Sequence, residues 1–498
     1  MFSAFLNFSH PVTHRQRSLL LRLVLPSLFL LATASVSADE SGMAHPNTVS
    51  WQQAQLDNQA SKAARKLQDA MDAEVPDLFL GLVNGESRDT QKDLRTLRER
   101  WHPGMVPMVI ETLRFGSSAQ ASSGLIELLE DKTGQNFGRD LNAWYSWLWQ
   151  RDEQRHPYYA SFKSQLYSHI DPLFAGYFDT DRETRIRLDE IRWGGVRQDG
   201  IPPLRSPVMI DVDSADYLDD DNVVFGVEIN GDARAYPKRI LAWHEMFIDT
   251  IGDVEYAGVY CTLCGALILY ETEHDGMRHQ LGTSGFLYRS NKVMYDRATQ
   301  SLWNTTWGQP VVGPLVGKGI ELTRSYVVTT TWGEWRRRHP DTTVLSLDTG
   351  YRRDYGEGVA YKDYFATDRL MFTVPGKDDR LANKAEILAL QFPGESDDKL
   401  AISADYLQQN PVYHHELGHQ KFVVLTDTSG ANRVYDSGSV TIVSYDGKDS
   451  ATDDQGRVWQ LSEDALRHEG SADMSRLPAH RAFWFGWVAQ WEDTELVK

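Results

Sequence analysis

"GVYCTLCGALILYE", residues 258–271, decides how the middle of this chain is read. Aromatic and β-branched residues flank Cys261-Thr262-Leu263-Cys264 on both sides, so the pair sits between two short strands. These are the only two cysteines in 498 residues. Three chemistries suit such a pair. Two thiolates bind Zn²⁺ or Cu⁺. Two thiols can cycle as a redox couple. A disulfide can clip the turn, and an oxidising compartment favours that outcome. Redox catalysis of the thioredoxin kind needs the pair at a helix N-terminus, where the dipole lowers the thiol pKa. Cys264 leads instead into the strand "GALILYE", which argues against it.

A single C-x-x-C supplies two metal ligands, and a structural zinc site takes four. His244, in "RILAWHE", is the best third ligand; Met246 or Met294 would add a thioether for copper. The leading expectation is therefore a copper or zinc site on Cys261, Cys264 and His244. The alternative is a ligand- or protein-interaction module whose cysteines form a structural disulfide. An extracytoplasmic enzyme of unknown reaction is the third reading.

Outward from this stretch, residues 196–498 read as a β-rich domain. "NVVFGVEING", "VEYAGVY" and "KVMYDR" are short, β-branched or aromatic, and bounded by Gly, Asp or Asn. Helices are few, as in "PKRILAWHEMF", "TWGEWRRRH" and "SADYLQQN". One unit recurs. Residues 235–260 align without a gap on residues 401–426, each reading as helix, polar turn around a Gly, then strand. At the same offset His244 meets Asn410, Cys261 meets Asp427 and Cys264 meets Gly430. The metal-capable side chains are confined to the first copy. The alignment also argues against a zinc protease reading of His415-Glu416-Leu417-Gly418-His419. H-E-x-x-H needs a helix to put both His on one face, and its counterpart in the first copy, "DTIGD", is a turn.

Residues 39–195 have a different grammar. They carry helix formers with apolar residues at three- and four-residue spacings. Leu141, Trp144, Tyr145 and Leu148 form one stripe, and Gly134 is placed to close a helix. The expectation is an all-helical region, either an array of HEAT type or an irregular bundle, that offers a surface to a protein partner. The whole is an α+β chain. Residues 1–38 read as a signal peptide: Arg15, Arg17 and Arg22 lead an apolar run that ends in Val36-Ser37-Ala38. That predicts export, to the periplasm or the exterior, with no transmembrane segment left after cleavage. The formal charge of −19 argues against binding nucleic acid.

"ARAYPKRILAWHE", "YCTLCGALILYE", "SGFLYRSNKVMYDRATQSLW", "TTTWGEWRRRHPDTTVLS" and "AFWFGW" occur in this order from about residue 200 onward. Together they resemble the domain of unknown function 3179 family. That resemblance implies a domain boundary and no established reaction. Matched to the family's motifs, the chain keeps His244 and both cysteines. It departs at Thr262, where Pro is usual, and at "VAQWEDTE", where a His-Pro element is common. If that His helps to form a site, binding here is altered.

Overall fold

The computed structural model describes residues 69–498, apart from 117, 153–154 and 393–397, together with 62, 65 and 66. The expected signal segment, residues 1–38, lies outside them. No helix among the described residues is long and apolar enough to cross a membrane.

From residue 75 the described residues form six helices: α1 (Val75–Asn84), α2 (Thr90–Glu99), α3 (Val106–Phe115), α4 (Ala119–Thr133), α5 (Leu141–Trp149) and α6 (Tyr159–Ser168). Local chemistry sets their ends. Ser118 caps α4 by accepting from the Ala121 N–H, and Gly134 closes it at φ 71°. Asp140 caps α5 by accepting from two backbone amides. Of the expected stripe on α5, Trp144, Tyr145 and Leu148 are buried and Leu141 is half-buried. Phe79 on α1 meets Phe162 on α6 edge-on at 5.8 Å. The first and last of these six helices therefore touch. In a HEAT-type solenoid each repeat would contact only its neighbours.

The helices do not stand apart from the β-rich part. Phe286 is ringed by Tyr167, Phe174, Tyr177 and Phe178 at 4.6–6.0 Å. One apolar core runs from α1 to the sheet that carries Phe286. Residues on both sides of position 195 share that core, and Lys66–Lys498 form one compact unit.

The remainder contains two repeats, with a separate five-stranded sheet over residues 442–475 set within the second. The first comprises β1 (Val223–Ile229), β2 (Asp232–Pro237), α7 (Lys238–His244), β3 (Met246–Ile251), β4 (Val254–Cys261) and β5 (Ala266–Glu271). A hairpin of β6 (Leu281–Tyr288) and β7 (Asn291–Asp296) follows, then β8 (Val328–Thr331), α8 (Trp332–Arg338), β9 (Thr343–Leu345) and the single turn α9 (Lys362–Phe365). The second comprises β10 (Glu386–Leu390), β11 (Leu400–Ser403), α10 (Ala404–Gln409), β12 (Val412–Leu417), β13 (Gln420–Thr426) and β14 (Asn432–Asp436). It closes with β15 (Ala479–Phe483), α11 (Trp484–Val488) and β16 (Glu495–Val497).

The pairings repeat as well as the order. Met246 pairs with Val259 across β3–β4, and Val412 with Leu425 across β12–β13. The parallel contact Ala235 to Val344 recurs as Ala401 to Leu496. Trp335 donates its indole N–H to Thr342 at 2.9 Å; Trp487 donates to Thr494 at 2.8 Å. Thr342 in turn donates to the Ala233 carbonyl, and Thr494 to that of Lys399. Trp335 and Trp487 are thus core fastenings. Buried indole needs a partner for its N–H, and both repeats supply the same one.

His415 lies on strand β12 and His419 in the turn after it. The two imidazoles of H-E-x-x-H do not share a helical face.

Candidate functional site

Cys261 ends β4, and Cys264 lies in the turn before β5. They form a disulfide with Cα atoms 5.2 Å apart. Both are buried, Cys264 completely. The equivalent turn of the second repeat explains what the bond does. In the first, the Cys264 N–H donates to the Cys261 carbonyl at 3.1 Å; in the second, Gly430 donates to Asp427 at 2.9 Å. There the Asp427 carboxylate clamps the turn, accepting from the Ser429 N–H, the Ser429 hydroxyl and the Ala431 N–H. One fold requirement, a closed turn between paired strands, is met covalently in one copy and by hydrogen bonds in the other.

His244 ends α7, and its ring is held away from the cysteines. Nδ1 donates to the Pro202 carbonyl at 2.9 Å, and Nε2 accepts from the Tyr355 hydroxyl at 2.6 Å. Burial holds its pKa below the ordinary imidazole value. Met246 and Met294 are buried in an apolar cluster with Trp303, whereas the cysteines pack in another with Trp484 and Trp487. The structure thus brings the two methionines together and the two cysteines together. It does not bring His244 to either pair. Among the described residues, no group of three or more His, Cys, Asp or Glu could hold a metal ion.

A polar centre lies beside the disulfide that sequence reasoning missed. Glu245, next to His244, caps α7 in the left-handed region at φ 56°. Such a conformation is uncommon for a non-glycine residue and marks a position worth attention. Its carboxylate accepts from the Lys292 ammonium at 3.0 Å, and its carbonyl accepts from the same ammonium at 3.1 Å. The Tyr361 hydroxyl stands 3.5 Å from the other carboxylate oxygen. Burial lowers the Lys292 pKa, with Glu245 opposing the shift. The signal for this centre lay in the repeat: position 245 meets Pro411, which carries no acid.

Where the repeats meet, an open cleft of about 400 Å³ remains. Residues 329–331 of β8 line one wall, and their equivalents on β15, residues 481–483, line the other. Tyr260 lines the cleft and is fully buried, with a hydroxyl that has no hydrogen-bond partner among the described residues. Burial raises its pKa, reinforced by Glu245 and Glu386. The disulfide turn borders the same space. Gly265 lines it, and the Cys264 carbonyl accepts from the Phe483 N–H of the second repeat at 2.7 Å. The clip therefore holds the loop that joins one repeat to the other.

A clip of this kind has a modest expected value. The chain-entropy model gives about 2 kcal/mol for so short a loop, against ~3 kcal/mol for 15 residues. Replacing both cysteines by Ser should lower unfolding free energy by about 1–2 kcal/mol in urea titrations. A chelator should leave the oxidised protein unchanged. A chelator effect as large as that of the double substitution would point back to a metal.

A β domain made of two equivalent repeats with a cleft between them defines the architecture. Residues 198–494 match the family described as Protein of unknown function (DUF3179), and the chain belongs to that family. No curated protein and no solved structure matches the chain.

Proposed function

We propose that this chain is an exported module that binds a small polar solute in the cleft between its two β repeats, with Cys261–Cys264 as a structural clip. The observation that carries the proposal is the cleft itself. Its volume falls in the range of small-ligand sites. Its walls are strands held by repeated core fastenings, so it is preformed. Its lining mixes Lys238, Asp405, Ser429 and Arg481 with the aromatic residues Phe225 and Phe483, the composition of a site that orients a polar molecule. The helices share a core with the sheet beneath them, which favours a scaffold role for that region over a separate partner surface.

Soft-metal binding, the leading sequence expectation, would require a reduced Cys261–Cys264 pair and a His244 released from Pro202 and Tyr355. Elemental analysis of the reduced protein tests that requirement.

For the cleft, the test is thermal unfolding in the presence of a small-metabolite extract. The extract should raise the melting temperature of the untagged protein. It should have no effect on a Thr329→Trp variant, which fills the cleft from a half-buried position. Equal responses from two folded proteins would overturn the cleft reading.

A further inference from the structure

The charges in the cleft narrow the solute. We infer that it is a zwitterion, a free amino acid or short peptide, with its carboxylate on Lys238 and its ammonium group on Asp405. This rests on the cleft reading above.

Four ionised side chains line the space: Lys238, Glu386, Asp405 and Arg481. Two of them satisfy each other. Arg481 pairs with Glu386, and its Nη1 also donates to the Asn432 side-chain oxygen at 2.9 Å and to the Gly430 carbonyl at 3.2 Å. The other two have no counter-charge among the described residues. Among the described residues the Lys238 ammonium has no carboxylate within ion-pair distance, and it rests over the Phe365 ring at 4.9 Å. The Asp405 carboxylate, exposed in the first turn of α10, makes no hydrogen bond or ion pair among the described residues. One cation and one anion are thus left over in a single cleft.

Each class of solute meets that pair differently. A dicarboxylate would gain Lys238 but face Asp405 and Glu386, and like charges disfavour it. A diamine would meet the converse problem at Lys238 and Arg481. A neutral sugar would leave both charges unused. Only a molecule bearing both signs is complemented at both ends. Gln408 and the hydroxyls of Thr330 and Ser429 remain for the amide or side-chain groups between them.

The assignment places neighbouring residues of the two repeats in opposite roles. Lys238 opens α7 in the first copy, and Asp405 lies in the first turn of α10 in the second. The repeat axis thereby acquires a polarity that would give the solute one orientation.

Calorimetric titration of the full exported chain tests this. The probes are an equimolar mixture of the twenty free amino acids and, separately, alanyl-alanine, its N-acetyl form and its C-terminal amide. Succinate and maltose serve as controls. A zwitterionic probe should bind. Blocking either end should weaken binding about ten- to a hundredfold, the range of a charge-assisted contact. Lys238→Met should weaken the free dipeptide as amidation does and leave the amide unaffected. Asp405→Asn should mimic acetylation. Both positions are solvent-accessible, so neither change should alter the fold. Binding of succinate or maltose in place of the zwitterions, or equal binding of the blocked and free dipeptides, would overturn the zwitterion and leave the cleft standing. No response to any probe would also overturn it, and equal melting shifts of the wild type and the Thr329→Trp variant in extract would separately remove the cleft.

Discussion

Arg433→Ala is expected to destabilise the protein by about 3–5 kcal/mol, the loss typical of breaking one side of a buried ion pair. Arg433 is almost fully buried on β14. Its guanidinium meets both Glu463 oxygens at 2.8–3.1 Å and Asp427 at 2.8 Å. Removing it leaves Glu463 to Arg476, at 3.1 Å, and Asp427 to Arg338, at 3.8 Å. Burial alone would raise the Glu463 pKa. Arg433, with His339 and Arg476, holds it well below the usual carboxylate range. A depressed folded pKa means stability that is present above the unfolded value, near ~4.3, and is lost as pH falls through the folded one. The variant forfeits that contribution already at neutral pH. The gap between wild type and variant in urea unfolding should therefore narrow from pH 7 towards pH 3. A gap that stays constant would assign the effect to packing. Exchanging Arg433 and Glu463 together for Met and Leu should recover part of the loss, because the desolvation of both charges disappears with them.

This network also shows where sequence reading reached and where it stopped. The helix–turn–strand unit at residues 235–260 and 401–426 was legible because strand alternation and a hairpin Gly leave a mark in one dimension. Gly252 and Gly418 both adopt positive φ at the hairpins that join β3 to β4 and β12 to β13. The wider repeat was not legible. The second Trp motif follows the first at a different offset, Trp332 to Trp484, because the segments between strands differ in length. Pairs such as Trp335–Thr342 become visible as a repeat only when the hydrogen bonds are known. Grouping His244 with Cys261 and Cys264 followed from their shared repeat. Sequence adjacency within a repeat gives the element, but not the direction of a side chain: α7 turns His244 towards Pro202, while β4 carries Cys261 into a different core. Lys292 was out of reach for another reason. It belongs to the inserted hairpin, which has no counterpart in the alignment that singled out the first copy.

Lys292→Met should cost about 3 kcal/mol at neutral pH, with a pH signature opposite in origin to that of Arg433. In the wild type the ammonium of Lys292, on β7, fixes the Glu245 carboxylate at 3.0 Å in a nearly closed site. Without it, the Glu245 carboxylate keeps, among the described residues, only the Tyr361 hydroxyl at 3.5 Å. A buried carboxyl stripped of its cation takes a raised pKa. The folded state then binds the proton more tightly than the unfolded state, so the variant loses stability as pH rises through the unfolded carboxyl value. Its deficit should be large at pH 7 and shrink below pH ~5. A deficit independent of pH would mean that Met simply packs badly there. Lys292→Met combined with Glu245→Gln should be more stable at pH 7 than Lys292→Met alone, since no charge is left buried. The pair matters beyond stability. The Glu245 carbonyl also accepts from the Tyr260 N–H at 2.9 Å, on the strand that runs into Cys261 and lines the cleft. Lys292 therefore pins the inserted hairpin to the one edge of the first repeat that carries both the clip and the cleft. The second repeat, with Pro411 in place of Glu245, has no such pin. If the cleft must stay open on that side to admit a solute, the double variant should keep its fold but bind alanyl-alanine more weakly than wild type. Unchanged affinity would confine the pair to a structural role.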